Sequence, residues 1–170
     1  MANGGVSGRG AGSGFVVQVF NRQKTRRVSV PFVRQVARRL LAPAFSEGGQ
    51  LAIHLVGAEE MACLNEQFLG HAGSTDVITF DYRDDSKPGA ASGEIFISVD
   101  DAVKSAPRFR TTWRTELIRY LVHGVLHLQG FDDTSAAARR VMKREENRRL
   151  KELSRRFDWG KLEKQKNVAR

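Results

Sequence analysis

One segment limits what this chain can become: His123-Gly-Val-Leu-His127-Leu-Gln-Gly130-Phe-Asp132-Asp133. Leu117, Tyr120, Leu121, Val125 and Leu128 recur with helical period, which predicts a helix over residues 112–128. One turn of that helix brings His123 and His127 onto the same face, with Cβ atoms about 5–6 Å apart. Two imidazoles so placed can share one metal ion. Gly130 then ends the helix and lets the chain turn back, delivering Asp132 and Asp133 at once. A carboxylate is an oxygen donor to zinc, so Asp133 can complete a set of three protein ligands and leave one position open, which separates a catalytic site from a structural one. The segment therefore predicts a metal-dependent enzyme with His123, His127 and Asp133 as ligands. The run Asp132-Asp133-Thr-Ser also reads as a helix N-cap signal, so Asp133 has a competing use, and Asp132 is assigned to capping.

The chain has 170 residues, 41% hydrophobic and 28% charged, enough for one domain with a buried core. No apolar run approaches the length of a membrane span, and the N-terminus lacks the apolar stretch of a signal peptide. Cys63 is the only cysteine, so no internal disulfide forms. That fits a reducing cytosol, with Cys63 expected as a small buried residue. The net charge of +9 is unevenly spread. Residues 1–46 carry eight Lys/Arg and no Asp/Glu, residues 139–170 carry thirteen against five, and residues 47–138 carry seven against fourteen. Basic flanks around an acidic middle are the electrostatic footprint of a nucleic-acid binder, although a solvated helix surface and a basic tail would look the same.

Residues 1–14 are rich in Gly, Ser and Ala and read as a disordered extension, followed by a folded domain over 15–156 and a basic tail over 157–170. Strands are predicted over 15–20, 50–56, 75–82 and 93–98, and helices from Pro31 onward, over 59–69, 99–105, 112–128 and 135–156. The 135–156 helix is expected to bury Ala138, Val141, Met142 and Leu150, and the pattern is expected to be lost after Trp159-Gly160. The order indicates an α+β fold: a single domain in which a small mixed β-sheet packs against helices. His54 in an apolar strand and His71 in a loop read as structural. Arg34, Arg38 and Arg39, on or beside the outer face of the first helix, read either as a solvated face or as the candidate nucleic-acid-binding residues.

The motif His123-Gly-x-Leu-His127-Leu-x-Gly-Phe-Asp132 resembles the signature of the YbeY family of bacterial metallo-endoribonucleases. Two more segments are similar to that family, in its order: Leu64-Asn65-x-x-Phe68 with Thr75-Asp76-Val77-Ile78-Thr79-Phe80, and Gly93-Glu94-Ile95-Phe96-Ile97-Ser98. The resemblance covers roughly residues 15–155. It implies one Zn2+ held by the helix and its following turn, in a cytoplasmic enzyme that cleaves single-stranded RNA. It further implies roles in ribosomal RNA maturation and ribosome quality control, with ribosomal RNA and ribosomal subunits as partners and neither DNA nor membrane. Two positions depart from the family's pattern. Asp133 stands where the family has a third histidine, and Leu69 where it has an arginine.

A carboxylate in place of an imidazole adds negative charge at the metal and bears on metal preference. The ion would act as a Lewis acid on a phosphoryl oxygen or activate a water. The frame His-x-x-x-His-x-x-Gly-x-x-Asp has metzincin-like ligand spacing, but those peptidases place a general-base Glu directly after the first histidine, and this chain has Gly124. Peptide hydrolysis is thereby disfavoured. An RNA-binding assembly factor with a structural metal is the principal alternative to a nuclease.

Overall fold

A computed structural model describes residues 14–45, 47–83 and 89–163. The elements are β1 (Phe15–Asn21), α1 (Val30–Leu41), β2 (Gly49–Val56), α2 (Ala58–Leu69), β3 (Val77–Asp81), β4 (Ala91–Ser98), α3 (Val99–Arg108), α4 (Trp113–Leu128) and α5 (Ala136–Ser154), followed by a 3-10 turn (Trp159–Leu162). The expected α+β architecture is present. The extension read over residues 1–14 lies, except for Gly14, outside the described residues, as does the tail beyond Glu163.

The sheet order is β1-β2-β4-β3. β1, β2 and β4 run parallel, and β3 pairs antiparallel with β4, placing Val77 opposite Ile97 and Asp81 opposite Gly93. Alternation along the strands divides the apolar residues between two faces. Leu51, Ile53, Leu55, Ile95 and Ile97 join the main core with α1 and α4, while Val56, Ile78 and Phe96 form a smaller cluster with Met61 of α2. α5 then packs on α4.

The sheet brings α4 unusually close. A Cβ on Gly124 would stand 2.7 Å from Ile95 Cγ2 and 3.1 Å from Thr79 Oγ1, so a side chain there would push the helix off the strands. His123 and His127 are thus anchored to a rigid layer.

Several boundaries differ from the sequence reading. β3 begins at Val77, although Asp76 O still accepts from Ser98 N–H, and the Asp76 carboxylate takes the Val77 N–H. α3 passes through Pro107, whose missing N–H falls in the last turn, where Phe109 N–H still reaches Ser105 O. Cys63 is exposed, because α2 touches the sheet through Met61 and the half-buried Leu64, and Cys63 faces away. Val141 is likewise exposed, as α5 buries Met142, Glu146, Leu150 and Leu153 instead. The pattern does not end at Trp159-Gly160: Leu162 is fully buried, and Glu163 bridges to Val28.

Candidate metal centre

α4 ends in a turn that builds half of the site. Gly130 takes φ +89°, a left-handed conformation that a side chain resists. Its N–H bonds to His127 O, and Phe131 N–H to Leu126 O, a Schellman closure. Phe131 packs against the core, and its carbonyl, thereby fixed, accepts from His127 Nδ1 at 3.0 Å. His123 Nδ1 stands 2.6 Å from Oε1 of the buried Glu146, which reaches in from α5. With both Nδ1 atoms facing acceptors, the neutral imidazoles carry their protons there and present bare Nε2 lone pairs. Those two Nε2 atoms are 2.9 Å apart.

Asp133 completes the convergence. Its Oδ2 lies 3.6 Å from His123 Nε2, and its Oδ1 3.9 Å from His127 Nε2. The competing capping duties are discharged by neighbours. Asp132 accepts from Asp133 N–H, Thr134 N–H and the Thr134 hydroxyl, and Ser135 caps α5 through Ala138 N–H. Arg139 fastens the turn by donating to Asp133 O and Thr134 O.

The donor atoms of His123, His127 and Asp133 all lie within 4.8 Å of one another, and the residues fit a divalent cation. Two ligands about 2 Å from a tetrahedral ion sit about 3.3 Å apart, and the observed separations bracket that value. A carboxylate or carbonyl behind each ring is the outer support that metal-bound histidines require. Burial disfavours charge on His123, but the hydrogen bond and negative charge of Glu146, with Asp133 and Asp76, outweigh it and raise the ring above the usual histidine range.

The centre opens into a cleft of about 660 Å³ walled by α3, α4, α5 and the loop before β3. Sequence reasoning missed Glu146, whose signal was a carboxylate in register with the apolar row of α5, between Met142 and Leu150. It also missed the cleft cations Arg108, Arg119, Arg139 and Lys143. Arg119 is tied to Glu116, Glu146 and Asn147. Tyr120 forms part of the wall with its hydroxyl pushed up to about 12, mainly by burial. Asp76 lines the cleft as well as starting β3. The α1 arginines stand elsewhere: Arg34 donates to Val17 O, Arg39 pairs with Glu152, Arg38 is exposed, and none lines the cleft. Leu69, half exposed at the end of α2, does not line it either.

Fold and centre together define a class: an α+β protein with three donors at the end of one helix that could hold a metal ion. A sequence model of the family described as "Endoribonuclease YbeY" matches residues 18–154. The chain is 32% identical to Endoribonuclease YbeY of Chlorobaculum tepidum over 137 residues, covering 81% of this chain and 97% of that one. It is 38% identical to Endoribonuclease YbeY of Parabacteroides distasonis over 102 residues, covering 60% and 70%. The solution structure of TM1509 from Thermotoga maritima superposes with a TM-score of 0.62 at 21% identity, over 91% of this chain and 100% of that one, and supports the fold. This chain belongs to the YbeY endoribonuclease family.

Proposed function

We propose that the protein is a zinc-dependent, single-strand-specific endoribonuclease of ribosomal RNA maturation and ribosome quality control, acting in the cytoplasm on ribosomal RNA and ribosomal subunits. The observation that carries the reading is the convergence of His123, His127 and Asp133, of which His123 and Asp133 line a cleft with cations on its walls. Family membership supports RNA as the substrate class. Two imidazoles and one carboxylate suit zinc, and such an ion supplies Lewis-acid chemistry at a phosphoryl oxygen.

The chain's own groups supply the rest. Glu146 and the Phe131 carbonyl orient the two rings, and Arg139 keeps the Asp133 turn in place. Arg108 and Lys143 are assigned to phosphates of RNA lying in the cleft. Arg34, Arg38 and Arg39 are assigned to RNA outside it, with Arg38 the exposed member of the three. A peptidase mechanism finds no support: the place its general base would occupy is Gly124, filled by the approach of Ile95 and Thr79. Among the described residues, no helix is long and apolar enough to cross a membrane.

The test is metal content together with cleavage of a single-stranded ribosomal RNA fragment, with His127→Ala as control. About one zinc per chain, and cleavage that disappears in the variant, is the expected outcome. Metal retained in the variant would overturn the ligand assignment, and bound metal without cleavage in the parent protein would favour the assembly-factor reading.

A further inference from the structure

α5 carries far more positive charge than its packing needs. The buried row Met142, Glu146, Leu150 and Leu153 defines its inner face. At 100° per residue, Arg140, Arg144, Arg148, Lys151 and the C-cap Arg155 fall within an arc of about 80° on the opposite side. No acidic residue shares that arc. The three carboxylates of the helix are engaged beside or behind it: Glu145 with Arg148 and Arg149, Glu146 with His123, and Glu152 with Arg39 and, at 3.8 Å, Arg148. Among the described residues, Arg140, Arg144, Lys151 and Arg155 form no ion pair, and all four are exposed. Arg140 and Arg144, and Arg144 and Arg148, are like-charged i,i+4 pairs, which destabilise a free helix. A face that accepts this repulsion along its length is suited to a polyanion.

Its position gives the charge a direction. Arg139 and Lys143, at the N-terminal end of the same helix and nearer its inner face, line the metal cleft. From Arg140 to Arg155 the stripe runs about 22 Å at 1.5 Å per residue. At its far end Arg148, Arg149 and Glu152 meet Arg39 of α1 around a shallow pocket. We propose that the outward face of α5 is a phosphate track, holding the part of a single-stranded RNA that lies beyond the cleft through Arg140, Arg144, Lys151 and Arg155. The proposal rests on the endoribonuclease reading for its ligand. At about 3.4 Å per nucleotide in a stacked strand, the track accommodates roughly six phosphates. It binds backbone rather than bases, so it favours longer substrates without choosing their sequence. Arg39 of α1 then sits at the end of this path.

The experiment compares the full-length, zinc-loaded protein with Arg140→Gln/Arg144→Gln/Lys151→Gln, binding a labelled, unstructured RNA of about 20 nucleotides over a salt series. Glutamine keeps helix propensity, and an unchanged melting temperature confirms the fold. Lys24→Gln/Arg26→Gln/Arg27→Gln removes the same charge from exposed positions elsewhere. Losing three phosphate contacts flattens the slope of log affinity against log salt by about 2 and weakens binding roughly tenfold or more at moderate salt. The same α5 variant raises KM for this RNA, and Arg140→Lys/Arg144→Lys retains the parent slope. Equal weakening by the two charge-matched triples would reduce the effect to net charge and overturn the track, as would an unaltered slope in the α5 variant. Parent protein that binds this RNA without cutting it sinks the nuclease reading and leaves the track standing. Cleavage by a parent whose α5 variant behaves identically sinks the track alone.

Discussion

His54 and His123 are both largely enclosed histidines with carboxylates nearby, yet only His123 belongs to a group of donors that could hold a metal ion. His54 lies in the sheet, stacked between Phe20 and Phe96 at centroid distances of 5.0 and 4.3 Å. Its Nδ1 is 2.9 Å from an Arg22 guanidinium nitrogen, which can only donate, so that lone pair is spent and the ring proton must sit on Nε2, facing Glu94 at 3.3 Å. His123 has the reverse arrangement. A carboxylate takes its Nδ1 proton and the Nε2 lone pair faces His127 and Asp133. Burial and Arg22 lower the pKa of His54, whereas the Glu146 contact overcomes burial and raises that of His123. A histidine becomes a ligand through the group behind it, and both rings are read more truly from that partner than from their exposure.

Removing what distinguishes His123 should therefore have the largest effect. Glu146→Gln keeps the shape and a hydrogen bond but withdraws the charge behind the ring. Loss of such outer-shell support weakens metal binding by about 10–100-fold, and zinc affinity measured by chelator competition should fall within that range. His54→Phe should leave zinc affinity unaltered. Equal zinc affinity in Glu146→Gln and the parent protein would remove the basis of the comparison.

The two rings were not equally legible in the sequence. The i,i+4 spacing and Gly130 announced His123 and His127, and local hydrophobic period announced nearly every helix, because those signals lie within a few residues of the feature they specify. Glu146 was hidden because it belongs to another helix, and only the docking of α5 on α4 gives it a role. The stacking of His54 depends on register, since Phe20, His54 and Phe96 are partners across three strands. The same holds for the insertion of β4 between β2 and β3 and for the burial of Leu162, both consequences of long-range packing. The arginines read from α1 lie outside the cleft, because basic composition reports charge without reporting which surface the fold assigns it to.

Asp133→His should have a smaller effect on metal binding. A third imidazole replaces the carboxylate in a turn already shaped by Gly130, Asp132 and Arg139. Exchanging oxygen for nitrogen moves preference away from harder ions such as magnesium and manganese and toward zinc. Zinc affinity should hold or rise, by up to roughly tenfold or about 1.4 kcal/mol, while manganese affinity falls. Complete loss of metal would show that Asp133 serves the turn rather than the ion.

The smallest effect separates the two rings by pH. His54 has a lowered pKa in the folded protein, so between the unfolded value near 6.5 and the lower folded value the unfolded chain binds more protons. Its contribution to stability is present above that window and is lost as pH falls through it. The charges facing the ring are Arg22, Glu60 and Glu94, of which Arg22 opposes protonation and the two carboxylates favour it. His123, raised instead, contributes in metal-free protein below the unfolded value and loses that contribution as pH rises through the folded one. His54→Phe keeps an aromatic ring in the stack and removes only the titration at that position. Both proteins retain His123, so its effect cancels in the difference between them. The melting temperature of His54→Phe relative to the parent should therefore increase as pH is lowered from neutrality to about 5.5, by a few degrees at most for a domain of this size. A difference that stays constant across that range would mean that His54 remains as easily protonated in the fold as in the open chain. The contrast with His123 would then rest on geometry alone.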